Sequence, residues 1–296
     1  MRRFRPTFTL RYLYACRPRI NISVNMSDLS GKVALITGAS SGIGAATAIL
    51  FARLGVKLSL TGRNEVNLQR ICDECARVGP ADTQPPLTVV AELSCEADVI
   101  NLVDATVKKF GRLDILVNNA GIAELGTIET TSLEQYDRVM GVNVRAAFQL
   151  TMLCAPHLIA TGGNVVNVSG VSGTRSIAGF LVLCMSKSAV DQMTSCTALE
   201  LAPKGVRVNS VNPGVIVTEG FVQAATSVYA EQYAEFMERQ KETHPLGRVG
   251  EAEEVAQAIT FLASSNSASF ITGQHLHVDG GLHLASLTSL VYSESK

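Results

Sequence analysis

The stretch VALITGASSGIG, from Val33 to Gly44, joins a strand pattern to a helix pattern through a glycine-rich turn. The β-branched run Val33–Thr37 is typical of a buried strand, and a helical pattern begins at Gly42. Glycines between the two let the backbone turn tightly and let a pyrophosphate approach the helix N-terminus, where free N–H groups favour an anion. We therefore predict a dinucleotide-binding turn. Its candidate contacts are Gly38, Ser40, Ser41, Gly42, Ile43 and Gly44.

From Lys32 onward, short β-branched runs alternate with helical segments, a pattern typical of βαβ units and a parallel sheet. The predicted strands are Val33–Thr37, Val56–Thr61, Leu87–Ala91, Leu113–Asn119, Asn164–Ser169, Val206–Asn212 and a last one near His275–Gly280. The predicted helices are Gly42–Leu54, Asn64–Val78, Ala97–Phe110, Leu133 to about Ala160, about Phe180 to Ala202, a polar insertion at Thr218–Glu242, and Ala252–Ala263. No repeat or linker divides them. The prediction is a single α/β domain over residues 26–296, a Rossmann-like doubly wound parallel sheet of about seven strands flanked by helices.

Composition excludes several classes of protein. The hydrophobic content of 47% is enough for a full core, and the formal net charge of −1 without internal basic blocks argues against a nucleic-acid or membrane-surface protein. No apolar run reaches the roughly 18 to 20 residues of a membrane span. The cysteines are scattered, and Cys72 and Cys75 have no second pair or histidine nearby, so we interpret them as ordinary helix residues and predict no metal site.

Residues 1–25 differ from the rest of the chain. Six arginines precede the first acid, Asp28, with Thr, Tyr and Phe between them, which is the composition of a mitochondrial transit peptide. The alternative is an upstream extension without a role in the fold, because Met26 followed by SDLSGKVALITG is a natural start for a cytosolic domain. Both the mitochondrial matrix and the cytoplasm remain open.

The end of the second strand indicates the cofactor. An acid there would bind the ribose 2′-hydroxyl of NAD(H), but the sequence is Thr61-Gly62-Arg63-Asn64. A guanidinium without a carboxylate matches a 2′-phosphate, so NADP(H) is favoured over NAD(H). If Arg63 is only a solvated turn residue, the choice is undetermined.

Several motifs in the right order resemble the short-chain dehydrogenase/reductase family, and within it members similar to 3-oxoacyl-acyl-carrier-protein reductases and carbonyl reductases. The resemblance covers about Leu29 to Leu282. Its motifs are TGASSGIG, Asn118-Asn119-Ala120-Gly121, Asn143 between two valines, Ser186-Lys187, Asn212 to Thr218 (NPGVIVT), Ile271 to Gln274 (ITGQ) and Val278 to Gly281 (VDGG).

The resemblance implies where the cofactor lies and how the chain assembles. It implies a homodimer or homotetramer formed through the long helices and the C-terminal strand. It places Glu92 and Leu93 near the adenine, Asn119, Ala120 and Gly121 near the ribose, and the loop from Pro213 to Thr218 near the nicotinamide. Glu92 departs slightly from the pattern, since Asp is usual there. The residues carried over are Glu92, Leu93, Asn119, Ala120, Gly121, Pro213, Gly214, Ile216 and Thr218.

The family's chemistry moves a hydride between the nicotinamide and a carbonyl or alcohol carbon while a tyrosine transfers the proton. The resemblance implies a lysine four residues after that tyrosine, which lowers its pKa, and a serine thirteen residues before it, which holds the substrate oxygen. Lys187 is present, but Leu183 and Gly170 occupy the tyrosine and serine positions. Of the family's catalytic tetrad, Asn143 and Lys187 remain.

These positions predict an NADP(H)-binding protein with lost or strongly reduced oxidoreductase activity. The alternative is an active NADP-dependent carbonyl reductase or alcohol dehydrogenase that uses a substitute proton donor. Candidates for that donor are Ser169, water held by Asn143, and Tyr229 or Tyr233 of the insertion at about 218–243, which the resemblance implies is a substrate lid. A third hypothesis is a decaying duplicate without a selected role.

Overall fold

The computed structural model describes residues 27–219 and 233–285. Its strands are β1 Val33–Thr37, β2 Lys57–Gly62, β3 Leu87–Val90, β4 Ile115–Asn118, β5 Asn164–Val168, β6 Arg207–Pro213, β7 Ile216–Val217, β8 Gly250–Glu251 and β9 His275–Val278. Seven of these strands form one parallel sheet in the order β3-β2-β1-β4-β5-β6-β9, and β7 pairs separately with β8. The predicted fold class is confirmed.

Helices cover both faces of the sheet. They are α1 Gly42–Arg53, α2 Glu65–Val78, α3 Glu96–Phe110, α4 Leu133–Met140, α5 Ala146–Thr161, α6 Leu181–Leu201, α7 Tyr233–Thr243, α8 Ala252–Ala263 and α9 Ser265–Ala268. One core lies between the sheet and α1, α2 and α8, and the other lies between the sheet and α3, α5 and α6. The central strands are buried along their whole length because both faces are covered, which explains their continuous apolar sequences.

The strand order places a cleft beside β1. Strand β1 pairs with β2 on one side and with β4 on the other, so the chain reverses its direction of winding there. In doubly wound sheets, ligands bind outside the carboxyl ends of the strands at this switch point. The glycine-rich turn after β1 and the segment after β4 therefore meet at one site.

A chain of buried amide and hydroxyl groups fixes the strand ends below this cleft. The Asn118 amide of β4 donates to Asn167 Oδ1 of β5 at 2.9 Å, and the Asn167 amide donates to Thr194 Oγ1 of α6 at 2.8 Å. All three residues are buried. These hydrogen bonds stabilise one relative placement of β4, β5 and α6, although Asn118 Oδ1 is buried without a partner among the described residues.

One predicted helix is interrupted. The helical region predicted from Leu133 to about Ala160 consists of α4, a π-helical segment at Gly141–Arg145, and α5. Other boundaries differ from the predictions by one or two residues, which is the usual uncertainty of helix and strand ends. Of the predicted insertion, residues 220–232 lie outside the described residues.

The amino-terminal boundary is tied to the end of the domain. The Asp28 carboxylate accepts from Ser264 Oγ at 2.8 Å and from the backbone N–H of Ser265 at 2.7 Å. The fold thus includes the chain from Ser27, whereas the transit-peptide prediction for residues 1–25 falls outside the described residues. Within residues 27–219 and 233–285, no helix is both long and apolar enough to cross a membrane.

The Cys72 and Cys75 thiols lie buried and free on α2. Burial raises the pKa of Cys75 to about 12, so its thiol stays protonated at neutral pH. In the described part of the chain, no three His, Cys, Asp or Glu side chains group to hold a metal ion.

Candidate functional site

The turn after β1 has a backbone that only glycine fits. Gly38 and Gly42 adopt positive φ angles of 64° and 55°. A Cβ on Gly44 would overlap the carbonyl oxygen of Gly38 and stand 2.5 Å from Asn119 Nδ2. The first turn of α1 therefore packs directly against the glycine turn, and its N-terminus is open to an anionic ligand.

Thr37 joins this turn to the segment after β4. Its hydroxyl accepts from the backbone N–H of Asn119 at 2.9 Å and from that of Ala120 at 3.0 Å. The Asn119 amide donates to the carbonyl oxygen of Thr37 at 2.7 Å. The predicted contacts Asn119, Ala120 and Gly121 thus lie beside the glycine turn, as a cofactor spanning both segments requires.

The loop after β6 lies on the other side of the turn. The Thr218 methyl group would be 3.0 Å from a Cβ on Gly42, and Ile216 of β7 is buried. His244 supports this loop, because its Nε2 accepts from the backbone N–H of Val215 at 3.3 Å. Pro213 thus ends β6, and Gly214, Ile216 and Thr218 follow it toward the site at which the resemblance places the nicotinamide.

At the opposite end of the cleft, the structure brings together two residues predicted separately. Arg63 Nη1 lies 3.8 Å from Glu92 Oε2, with the two side chains 67% and 45% exposed. An exposed ion pair of this kind contributes at most about 1 kcal/mol, so the guanidinium is available to a stronger anion. Ser40 lies beside the end of β2, since a Cβ on Gly62 would be 2.9 Å from Ser40 Oγ. Leu93 is buried behind Glu92.

The Lys187 ammonium group lies between the end of β5 and the segment after β4. Nζ donates to the carbonyl oxygen of Val168 at 2.9 Å and would lie 3.5 Å from a Cβ on Gly121. Desolvation lowers the pKa of Lys187 to about 8, and the nearby Asp191 carboxylate opposes that shift. The ammonium retains donors for hydroxyl groups of a ligand.

Asn143 is held in the π-helical segment by three hydrogen bonds. Its amide donates to the carbonyl oxygen of Ile122 and to Ser186 Oγ, each at 2.9 Å, and its Oδ1 accepts from the N–H of Ile122 at 2.8 Å. Ser186 Oγ in turn donates to the carbonyl oxygen of Leu183 at 2.8 Å. Asn143 thus links the loop after β4 to the second turn of α6. Single π-helical turns are common at functional sites.

Leu183 and Gly170 lie beside Lys187 and offer no hydroxyl group. Leu183 is half-buried one turn before Lys187 on α6, and Gly170 is buried with extended backbone at φ 170°. The hydroxyl of the adjacent Ser169 donates to the carbonyl oxygen of Lys187 at 3.1 Å. Of the two candidate lid tyrosines, Tyr229 and the side chain of Tyr233 are outside what the structure describes.

Sequence reasoning missed two residues that shape this site. Ser172 is buried, and its hydroxyl would be 3.3 Å from a Cβ on Gly170. His244, which supports the loop after β6, follows a polar helix in a stretch without a recognisable motif. The only signal for Ser172 was a second serine two residues after Gly170, in the sequence Ser-Gly-Val-Ser-Gly.

The lowered pKa of Lys187 predicts a pH-dependent cofactor affinity. If the ammonium donates to the cofactor, apparent affinity should fall as the pH rises through about 8, because the charged form is lost there. Loss of one charge-assisted hydrogen bond should weaken the apparent NADPH affinity about tenfold between pH 7.5 and pH 9.5. Fluorescence titration of NADPH across this range measures it. Lys187→Met should abolish this pH dependence of NADPH affinity, and the control Lys204→Met, at an exposed lysine, should preserve it. If Lys187→Met keeps the same pH dependence, the Lys187 ammonium group does not bind the cofactor.

Comparison with known proteins identifies relatives over nearly the whole chain. A family model described as enoyl-(acyl carrier protein) reductase matches residues 38–283. The chain is 38% identical over 258 residues to the 3-oxoacyl-[acyl-carrier-protein] reductase of Thermotoga maritima, covering 86% of this chain and 98% of that protein. The family match therefore includes the glycine turn from Gly38, Asn143, and the positions Gly170, Leu183 and Lys187.

Solved structures show the same similarity. The crystal structure of levodione reductase matches with a TM-score of 0.83 and 32% identity, covering 87% of this chain and 99% of that one. The 3-ketoacyl-(acyl-carrier-protein) reductase from Brucella melitensis, complexed with NADH, matches with a TM-score of 0.76 and 34% identity over 86% of this chain and 99% of that one. The architecture of the cleft is thus shared with proteins of known structure.

Proposed function

The chain belongs to the short-chain dehydrogenase/reductase family of oxidoreductases, and from this premise we propose that it binds NADP(H) with lost or strongly reduced oxidoreductase activity. One observation carries the proposal. Lys187 and Asn143 stand in a cleft with a complete dinucleotide-binding turn, while Leu183 and Gly170 stand where the family resemblance places a tyrosine and a serine. We propose that the protein acts as a cofactor-bound partner in an oligomer.

The residues present can bind the cofactor, but none of them stands at the position of the proton donor. A bound nicotinamide cofactor supplies or accepts the hydride. Lys187 donates to ribose hydroxyls, and Asn143 holds the loop after β4 against α6. At Leu183, no group transfers a proton to the substrate oxygen. General acid catalysis contributes about 10²- to 10⁴-fold, so its absence at Leu183 predicts very slow turnover.

A working carbonyl reductase or alcohol dehydrogenase is the second candidate, favoured by relatives whose names are those of reductases. It needs a substitute proton donor. The Ser169 hydroxyl is engaged with the Lys187 carbonyl, and both amide hydrogens of Asn143 are already donated. Under this candidate, a small carbonyl or alcohol would be the substrate.

Turnover separates the two candidates on one preparation. NADPH and NADH are titrated by fluorescence, and NADPH consumption is followed with a panel of ketones and 3-oxoacyl esters. We expect saturable NADPH binding without consumption above background. Turnover at ordinary enzyme rates, about 1 to 10³ s⁻¹, would contradict loss of activity and favour the reductase.

We propose a preference for NADP(H), supported by Arg63 and the lack of an acid at the end of β2. Arg63→Gln should weaken NADPH binding by about 10- to 100-fold and change NADH binding less than about twofold, since only NADPH carries the 2′-phosphate. Glu92→Gln should tighten NADPH binding by about two- to fivefold, because the phosphate no longer competes with a carboxylate. Fluorescence titration measures both.

The control for this prediction is Arg77→Gln. Arg77 pairs with Glu74 on the exposed side of α2. The Arg77→Gln variant should therefore keep wild-type affinity for both NADPH and NADH. Equal losses of NADPH and NADH affinity in Arg63→Gln would mean that Arg63 does not recognise the 2′-phosphate.

We propose that the chain forms a homodimer or homotetramer through its long helices and β9. Exposed apolar side chains on α5, those of Phe148 and Met152, support a partner on this helix.

For localisation, the arginine-rich residues 1–25 support the mitochondrial matrix, and a start at Met26 supports the cytoplasm.

A further inference from the structure

Three atoms surround the position that a side chain on residue 170 would take. A Cβ on Gly170 would lie 3.3 Å from Ser172 Oγ, 3.8 Å from Lys187 Cγ and 3.9 Å from the carbonyl oxygen of Pro213. These atoms belong to the turn after β5, to α6, and to the loop that begins the nicotinamide side of the cleft. Ser172 Oγ is the nearest of them, so a hydroxyl already stands beside this space.

Ser172 differs from its serine neighbours in having no hydrogen-bond partner among the described residues. The hydroxyls of Ser169, Ser186 and Ser188 each donate to a backbone carbonyl oxygen. Ser172 is only 7% exposed, in the short 3₁₀ turn Val171–Gly173. Because no group among the described residues occupies it, the Ser172 hydroxyl can donate to a ligand oxygen in the cleft.

We infer that Ser172 supplies the hydroxyl that holds the carbonyl or alcohol oxygen of a ligand, in place of the absent side chain at residue 170. The inference rests on the proposed function, since it requires a loaded cofactor cleft with vestigial chemistry. Its consequence is that the site lacks only the proton donor at Leu183. A tyrosine at that position alone then completes reduction: the carbonyl carbon takes the hydride of NADPH, and its oxygen takes the tyrosine proton.

Binding to the NADPH-loaded wild-type protein gives the first test and needs no turnover. Ethyl acetoacetate and cyclohexanone are the probes, titrated by their effect on bound NADPH fluorescence. Ser172→Ala should weaken binding of at least one probe by about three- to tenfold, the effect of one hydrogen bond, with NADPH affinity unchanged. The exposed Ser176→Ala is the matched control in the same loop. Absent probe binding, or an unchanged affinity in Ser172→Ala, overturns the inference.

Reconstructed activity gives the second test. Leu183→Tyr alone should reduce the better-bound probe, and adding Ser172→Ala should lower kcat/KM by about 10²-fold. Adding Gly170→Ser to that double variant should restore most of the loss, whereas a merely structural role for Ser172 predicts no rescue.

The outcomes separate the inference from the proposed function. If Leu183→Tyr is inactive until Gly170→Ser is added, Ser172 does not hold the oxygen, and the inference fails while the proposed function stands. If the wild-type protein does not bind NADPH, or turns the probes over at ordinary rates, the proposed function itself fails.

Discussion

The double variant Leu183→Tyr with Gly170→Ser is expected to raise kcat/KM for NADPH-dependent ketone reduction by about 10² to 10⁴-fold over the wild-type chain. A tyrosine at residue 183 stands one turn before Lys187, where a nearby ammonium group lowers a phenol pKa and prepares it for proton transfer. Leu183 is only half-buried, and a Cβ on Gly170 would make a tight contact of 3.3 Å with Ser172 Oγ, so the Ser172 side chain must shift by a few tenths of an ångström. NADPH consumption with the ketone and 3-oxoacyl panel measures the gain.

The control places the same tyrosine elsewhere on the helix. Met185 is exposed and lies two residues farther along α6, a rotation of about 200° from Leu183. Met185→Tyr with Gly170→Ser should therefore stay as inactive as the wild-type chain. If the Leu183→Tyr double variant gains nothing, the assignment of these two positions to the family's tyrosine and serine is wrong.

Gly44→Ala should have the second large effect, a loss of NADPH affinity of more than about 10²-fold together with destabilisation by about 3 kcal/mol. The added methyl group would overlap the Gly38 carbonyl oxygen and crowd Asn119 Nδ2, which is held by hydrogen bonds to the carbonyl oxygens of Thr37 and Gly38. Relief requires α1 to move away from the turn, which separates the helix N-terminus from the pyrophosphate position. Fluorescence titration and denaturant unfolding measure the two effects.

Gly141→Ala is the matched control for this change. Gly141 has a helical backbone, and a Cβ there meets no atom within 4 Å. It should leave stability within about 1 kcal/mol and NADPH affinity within about twofold. Wild-type affinity in Gly44→Ala would mean that the cofactor phosphates do not sit on this turn.

Much of the fold and of the cofactor turn was predictable because the signals are local. Buried parallel strands need continuous apolar runs, and the helices between them need their own periodicity, so the sequence order predicts the sheet. The positive φ angles at Gly38 and Gly42 likewise occur where the motif requires glycine. Lys187 and Leu183 were predicted as neighbours because four residues make one helical turn.

The interruption at Asn143 was not predictable in the same way. Apolar periodicity from Leu133 to Ala160 indicates a helix but not the local change to π-helical hydrogen bonds at Gly141–Arg145. That change accompanies the Asn143 contacts to Ile122 and Ser186, which come from other elements. Periodicity within one segment carries no information about such contacts.

The order of strands and helices, the glycine turn, and the absence of tyrosine and serine at residues 183 and 170 are readable in the chain itself, because each depends on residue type and short spacing. The nearness of Glu92 to Arg63 and of Ser172 to the space beside Gly170 became visible only in three dimensions. The first pair meets because β2 and β3 are neighbours in the sheet, and packing between segments sets that distance. The second distance is local, because the 3₁₀ turn Val171–Gly173 brings the Ser172 hydroxyl back toward Gly170, and the sequence spacing alone does not specify that turn.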